Sequence, residues 1–418
     1  MREMKDSGVE WIGEIPYNWT LEKLQWYLDE VNISNNPVQT LQVLSLTNKL
    51  GVIPYEEKGD MGNKSKENCS EYKLAYPNTI VANSMNVIIG SVGICNYFGC
   101  VSPVYYVFKP KANSNIRFIN YIFQTVGFQK ELRKYSNGIL EIRLRVSASN
   151  ILKRFVPIPN HPSEQQKIVD FLDIKCAEID TLTADIQAQI DTLEQYKRSV
   201  ITEAVTKGLN SDVEMKDSGI EWIGIMPTAW KISRIKYEIL PLQRPVYSTD
   251  SVMTCFRDGE VTLRQNRRED GFTVSFTENG YQGVEVGDLV IHGMDAFAGA
   301  IGCSDSRGKI TPVVHVCKTT GNNRFFMYAL RSMAMNDVLM SFSEGIRVRS
   351  SDFRNFNKLG KFRIAVPTVD EQNEIVAYLD SKCTEIDAII AIKKQQLEIL
   401  SDYKKSVIYE YITGKKEV

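Results

Sequence analysis

Residues 4–13, Met-Lys-Asp-Ser-Gly-Val-Glu-Trp-Ile-Gly, return at 215–224 with a single change, Ile220 in place of Val9. Pro16 and Trp19 return as Pro227 and Trp230 at the same offset of 211. Farther on, Gly90, Gly93, Gly99 and Pro103 match Gly299, Gly302, Gly308 and Pro312 at an offset of 209. Glu164-Gln165, Ile168-Val169 and Leu172-Asp173 match Glu371-Gln372, Ile375-Val376 and Leu379-Asp380 at an offset of 207. A few short deletions explain the drift. The chain of 418 residues is a tandem duplication. Its unit is far longer than a solenoid repeat, so each copy should fold as a domain of its own.

Two textures alternate within each copy. Residues 1–162 and 215–369 are rich in Gly, aromatic and β-branched residues, with short apolar runs such as Thr79–Ala82, Val104–Phe108 and Asp288–Ile291. These predict strands of a mixed α+β domain, with helices over Ile116–Leu132 and Arg324–Leu339. Residues 163–214 and 370–418 read differently. Pro162, Ser163 and Gln166 form a helix start, and Gly208 a stop. Apolar residues at Ile179, Leu182, Ile186, Ile190, Leu193, Tyr196, Val200 and Ala204 are spaced by three or four, a coiled-coil seam. The second copy offers Ile386, Ile389, Leu397, Leu400, Tyr403, Val407 and Tyr411, with Lys393 in the place of Ile186. Each helix would be a rod of roughly 65–70 Å. The two should pair antiparallel and hold the mixed domains apart.

The net charge of −1 hides a partition. Residues 163–214 carry 5 basic and 11 acidic side chains, and 370–418 carry 7 and 10. The helical regions are therefore acidic and the mixed domains basic, a partition that suits a DNA reader. Other classes drop out. No run approaches the ~18 apolar residues of a membrane span, and Met1–Asp6 has no apolar signal segment, so the chain is expected in the cytoplasm. Eight cysteines without a CxxC pair predict reduced thiols, not a disulfide scaffold or zinc site. Gly59-Asp60-Met61-Gly62-Asn63-Lys64-Ser65 has two residues between its glycines where a phosphate loop needs four. No Pro-Pro occurs to form the base-holding loop of an amino-methyltransferase. His161, His292 and His315 form no metal-ligand pattern, and His292 reads as a structural residue. The glycines repeated at 90, 93, 299 and 302 read as close backbone packing in a shared core.

Three features together resemble the specificity subunit of type I restriction–modification systems across the whole chain. They are the opening Lys-Asp-Ser-Gly-(Val/Ile)-Glu-Trp-Ile-Gly-x-(Ile/Met)-Pro at 5–16 and 216–227, the Glu-Gln-x-x-Ile-Val helix entries at 164–169 and 371–376, and the Gly-x-x-Gly…Pro core of each half. The resemblance implies two target-recognition domains (1–162 and 215–369), each followed by a conserved helical region (163–214 and 370–418), with the helices in an antiparallel coiled coil. It implies a non-catalytic subunit that reads a bipartite, asymmetric site in double-stranded DNA and docks two methyltransferase subunits. Motor–nuclease subunits would join through the complex. S-adenosylmethionine and ATP are expected only on those partners, and no cofactor or metal on this chain. Stalk length would set the unread spacer, as paired readers impose a half-site spacing. Because residues 31–75 and 242–285 share almost nothing, the two half-sites should differ.

Arginine is the informative residue for DNA, since its fork reads guanine or clamps phosphate. Arg143 and Arg145 alternate with Ile142 and Leu144, and Arg347 and Arg349 with Ile346 and Val348, so strand geometry would give each copy a two-Arg face. Lys49, Lys64 and Lys66, and Arg264, Arg267 and Arg268, lie in polar, loop-like contexts suited to phosphate contact, which positions without specifying. Trp11 and Trp222 read as core or helix-docking residues. Tyr196-Lys197 and Tyr403-Lys404, on the expected outer helix faces, are candidates for docking methyltransferase subunits. A different class stays open: a coiled-coil scaffold whose basic domains bind another polymer or partner.

Overall fold

The computed structural model describes residues 2–47, 51–59, 68–112, 114–137, 144–267, 279–340 and 353–418. Backbone contacts separate it into two units, Met1–Gln187 with Gln395–Val418, and Ala188–Lys394. Each unit holds one mixed domain together with part of each long helix.

In the first unit a four-stranded antiparallel sheet runs in the order Leu28–Val31, Tyr105–Pro110, Thr79–Asn83, Val92–Cys95. Thr79–Asn83 is buried along its whole length, as a strand covered on both faces should be. Helices Ile116–Gln124 and Val126–Arg133 cover the sheet. Asn115 caps the first, its side chain accepting from the backbone N–H groups of Arg117 and Phe118 at 3.1 Å. Phe118, Phe123 and Phe128 are fully buried among Trp19, Ile122 and Leu132. Each such side chain contributes about 1.5–3 kcal/mol by leaving water.

The second unit repeats this topology. Its sheet order is Ile239–Pro241, Val314–Thr319, Leu289–His292, Ile301–Cys303. A single helix, Asn323–Met335, replaces the two of the first unit, with Phe325 and Phe326 fully buried. The repeated opening forms the same small antiparallel pair in both, Met4–Asp6 with Glu14–Pro16 and Met215–Asp217 with Ile225–Pro227. Trp11 is buried against Phe128 with ring centroids 5.4 Å apart, and Trp222 packs half-buried on the second core.

The long helices span Pro162–Lys207 and Val369–Ile412. Pro162 sits where its missing N–H costs nothing, and Gly208 and Gly414 end the helices at φ +76° and +70°. The helices pack antiparallel. In the first unit Lys404 donates to Asp180 at 2.6 Å and Phe171 stacks on Tyr411 at 4.4 Å. In the second Lys197 donates to Asp387 and Lys393 to Gln189.

The seam differs from the expected one in four places. Leu182, Tyr196 and Tyr403 are each 48% exposed and Ile389 is 37% exposed. The less exposed positions are Cys176, Ile179, Thr183, Ile186, Ile190, Leu193, Lys197, Val200 and Ala204, and Cys383, Ile386, Ile390, Lys393, Leu397, Leu400, Lys404, Val407 and Tyr411. Those sets alternate gaps of three and four without interruption, a strict heptad. Taking the nearest large apolar residue led to Leu182, Tyr196, Ile389 and Tyr403, whereas the period requires Thr183, Lys197, Ile390 and Lys404.

Candidate nucleic-acid interface

Each mixed domain carries a hairpin within the stretch that differs between copies. In the first it is Leu44–Thr47 paired with Gly51–Pro54, and in the second Met253–Cys255 paired with Val261–Leu263. The hairpins rest on the glycines that do not differ. A β-carbon on Gly93 would lie 3.1 Å from the Gly51 Cα, and one on Gly99 would lie 2.7 Å from the Gln42 carbonyl oxygen. In the second copy a β-carbon on Gly302 would collide with the Gly259 carbonyl oxygen, and one on Gly308 would lie 2.6 Å from that of Ser251. The expected close backbone packing is therefore specific: the repeated glycines are seats for unlike inserts.

The domains grip the helices through a repeated clasp. In the first unit Arg117 pairs with Asp173, and the Tyr121 hydroxyl donates to the same carboxylate at 2.6 Å. In the second Arg324 pairs with Asp380 at 2.5 Å, and Tyr328 donates to it at 2.7 Å. Desolvation pushes both tyrosine hydroxyls above their usual range, so they stay protonated donors. Trp19 and Trp230 add indole N–H bonds to Glu164 and Glu371, at 3.1 and 2.9 Å. A cleft of about 590 Å³ borders the first clasp and one of about 880 Å³ the second.

Arg331 sits between the shared core and the second insert, bonded to the first and lying against the second. Its Nη1 donates to the Gly299 carbonyl at 3.1 Å and more weakly to that of Ile301 at 3.4 Å. The guanidinium lies directly under the hairpin turn, where any side chain on Gly259 (φ +94°) would strike it. Beyond the turn, Asp258 and Glu260 accept from Arg267 at 2.6 and 2.8 Å, and Arg267 stacks over Phe256 at 4.1 Å. Burial pushes the Asp258 carboxyl up. Hydrogen bonds from Arg267 and the Glu260 N–H, with the charges of Arg267 and Arg331, outweigh it and hold the group below the usual range.

Of the residues singled out from sequence, Arg264 and Arg267 flank the second hairpin. Arg264 donates to the Thr254 hydroxyl at 3.1 Å, and Arg267 is engaged with two carboxylates. Arg145 is exposed, its backbone in an isolated bridge with Asn137. Lys49, Lys64, Lys66, Arg143, Arg268, Arg347 and Arg349 lie outside the described residues, and with them most of both expected two-Arg faces. Tyr196 and Tyr403 are half-exposed, but Lys197 and Lys404 turn inward to cross-helix carboxylates and do not project from an outer face. His292 is a turn cap, its Nδ1 accepting from the Met294 and Asp295 N–H groups at 3.3 and 3.1 Å, with burial holding its pKa down. The clasp and Arg331 were missed. Arg117/Arg324, Tyr121/Tyr328 and Asp173/Asp380 all keep the offset of 207, a signal that could have found the clasp.

Two mixed domains of one topology, each clasped to a shared antiparallel helix pair and carrying its own insert, define a tandem-recognition-domain architecture. Residues 31–192, which take in the first insert and the entry of the first long helix, match the model of the type I restriction modification DNA specificity domain. At the level of fold, the chain is similar to one from a structure described as the structural basis underlying complex assembly and conformational transition of the type I R-M system, with 11% identity, 96% of this chain and 99% of that chain covered, and a TM-score of 0.71. The HsdS subunit from Thermoanaerobacter tengcongensis matches at 13% identity over 96% of this chain and 98% of its own, with a TM-score of 0.49. The resemblance to a type I restriction–modification specificity subunit, read from the repeated motifs, stands.

Proposed function

We propose that this chain is the non-catalytic sequence-reading subunit of a type I restriction–modification complex. Each mixed domain reads one half of a bipartite duplex site, and the helices dock two methyltransferase subunits. S-adenosylmethionine and ATP belong to the methyltransferase and motor–nuclease partners. The observation that carries the reading is the constancy of clasp and seat across both copies while the inserts differ: one mounting used twice, for two unlike readers. Exposed Tyr196 and Tyr403 repeat at equivalent positions, as contacts for two copies of one partner would.

The test is to map methylated bases in a host genome with and without this gene, alongside duplex binding by the chain with its methyltransferase partner at rising salt. One asymmetric two-part motif should depend on the gene, and preference for that duplex should persist after non-specific binding has been screened away. Methyl transfer by the isolated chain, or an identical inverted motif in both halves, contradicts the reading.

A further inference from the structure

The two copies place their differences on a constant support. Residues 31–75 and 242–285 share almost no sequence, yet both deliver a two-stranded hairpin onto the same pair of core glycines. Gly93 and Gly302 receive the backbone of Gly51 and Gly259, and Gly99 and Gly308 receive the carbonyls of Gln42 and Ser251. A rotamer change cannot relieve the approaches at Gly93 and Gly302, because the nearest atom met at each is backbone, and at Gly99 and Gly308 a backbone carbonyl is met alongside the side chains of Leu44 and Met253. An added methyl must displace the hairpin itself. In the second copy a further support is present: Arg331, anchored on the core carbonyl of Gly299, lies against Gly259 of the turn, and Asp258 and Glu260 of that turn hold Arg267 at the hairpin exit.

We propose that Gly93 and Gly302 are specificity-positioning residues, which set the height and angle of an inserted reading hairpin in the first and second recognition domain respectively, and that Arg331 is an added positioning residue for the second. This rests on the DNA-reading function proposed above and names the part of each domain that discriminates. A reading element displaced by a fraction of an ångström to an ångström loses aligned contacts to base edges while keeping its charge. Discrimination should therefore fall more than affinity does.

The experiment uses the full chain assembled with its methyltransferase partner, on duplexes carrying the native site or single-base changes in one half. Gly302→Ala should reduce discrimination in one half-site about tenfold, the size of one lost base contact, and leave the other half unchanged. Gly93→Ala should produce the mirror result. Arg331→Gln, which installs the residue type found at matching position 124, should weaken the same half-site as Gly302→Ala, by a smaller factor and with the backbone seat intact. Cooperative unfolding and non-specific affinity, measured in parallel, report on a purely structural role. Unchanged discrimination in folded variants, or equal loss at both half-sites, overturns the proposal. If the alanine variants fail to fold, Arg331→Gln decides, and full discrimination there overturns it. A wild-type complex that distinguishes no duplex sinks the functional reading and this proposal with it, whereas wild-type discrimination with unaffected variants sinks the seats alone.

Discussion

Arg117, Tyr121 and Asp173 occupy in the first unit the places of Arg324, Tyr328 and Asp380 in the second, yet Gln124 lines the cleft beside the first insert where Arg331 lines the other. Phe118 and Phe325 are also matched, each fully buried in its core. On this pair of matched helices the exchange of Gln124 for Arg331 falls on the side that meets the insert. Mutations that preserve the grip on the helices act alike on any reader, so a duplicated domain keeps them. On the function proposed above, the insert side has to differ, because two identical readers would recognise two identical half-sites. Divergence is therefore concentrated where the physics of packing allows it, on a hairpin that contributes little to the main core.

The largest test of this comparison is removal of the matched phenylalanines. Phe118→Ala and Phe325→Ala should each cost about 3–5 kcal/mol, the transfer term plus the cavity. Urea unfolding with hydrogen exchange should locate each loss in its own unit. Similar costs confirm that the cores are equivalent. A difference above about 2 kcal/mol breaks the equivalence and makes one domain the structural senior.

A smaller effect is expected at the clasp. Tyr121→Phe and Tyr328→Phe each remove one hydroxyl donor to a carboxylate that also pairs with arginine. Such a bond contributes about 1.5–3 kcal/mol, and exposure of the arginine–aspartate pair favours the lower end. The two variants should match each other within experimental error by the same unfolding measurement. A cost found at Tyr328 alone would show that Arg331 stiffens the second clasp as well as the insert.

Much of this architecture was legible because duplication supplies its own alignment. Helix limits came within a residue at the starts, since Pro162, Gly208 and the Glu-Gln entries act through the local backbone. The seam was misread at four positions for a different reason: a heptad is a period, and Lys197 and Lys404 hold seam positions through their carbon stems while their ammonium groups reach cross-helix carboxylates. Hydrophobicity alone favours Tyr196 and Tyr403 there. Arg331 was illegible because its role depends on Gly259, far away in sequence, and nothing in the spacing links a helix arginine to a hairpin turn. The glycines were visible as repeats, but what they support required the backbone.

Acid should separate the two units more gently. In the second, Glu238, Asp250 and Asp258 are all held below the usual carboxylate range. Burial opposes this in each case. Thr320, Ser233 and Lys231 outweigh it at Glu238, and the Tyr247 N–H and Arg307 do so at Asp250. In the first unit Glu10 is lowered, by a hydrogen bond from exposed Lys134 and its charge. A carboxylate with a depressed folded pKa stabilises above its unfolded value, about 3.9 for Asp and 4.3 for Glu, and that stability is lost as pH falls through the folded value. Between pH 6 and pH 3 the second unit should therefore lose protection from hydrogen exchange, corrected for intrinsic rates, before the first does. Asp258→Asn should narrow that gap, because an amide at this site no longer titrates. Simultaneous loss of protection in both units would mean that the ion pairs around the second insert do not distinguish the two domains energetically, leaving packing on the glycine seats as the difference that matters.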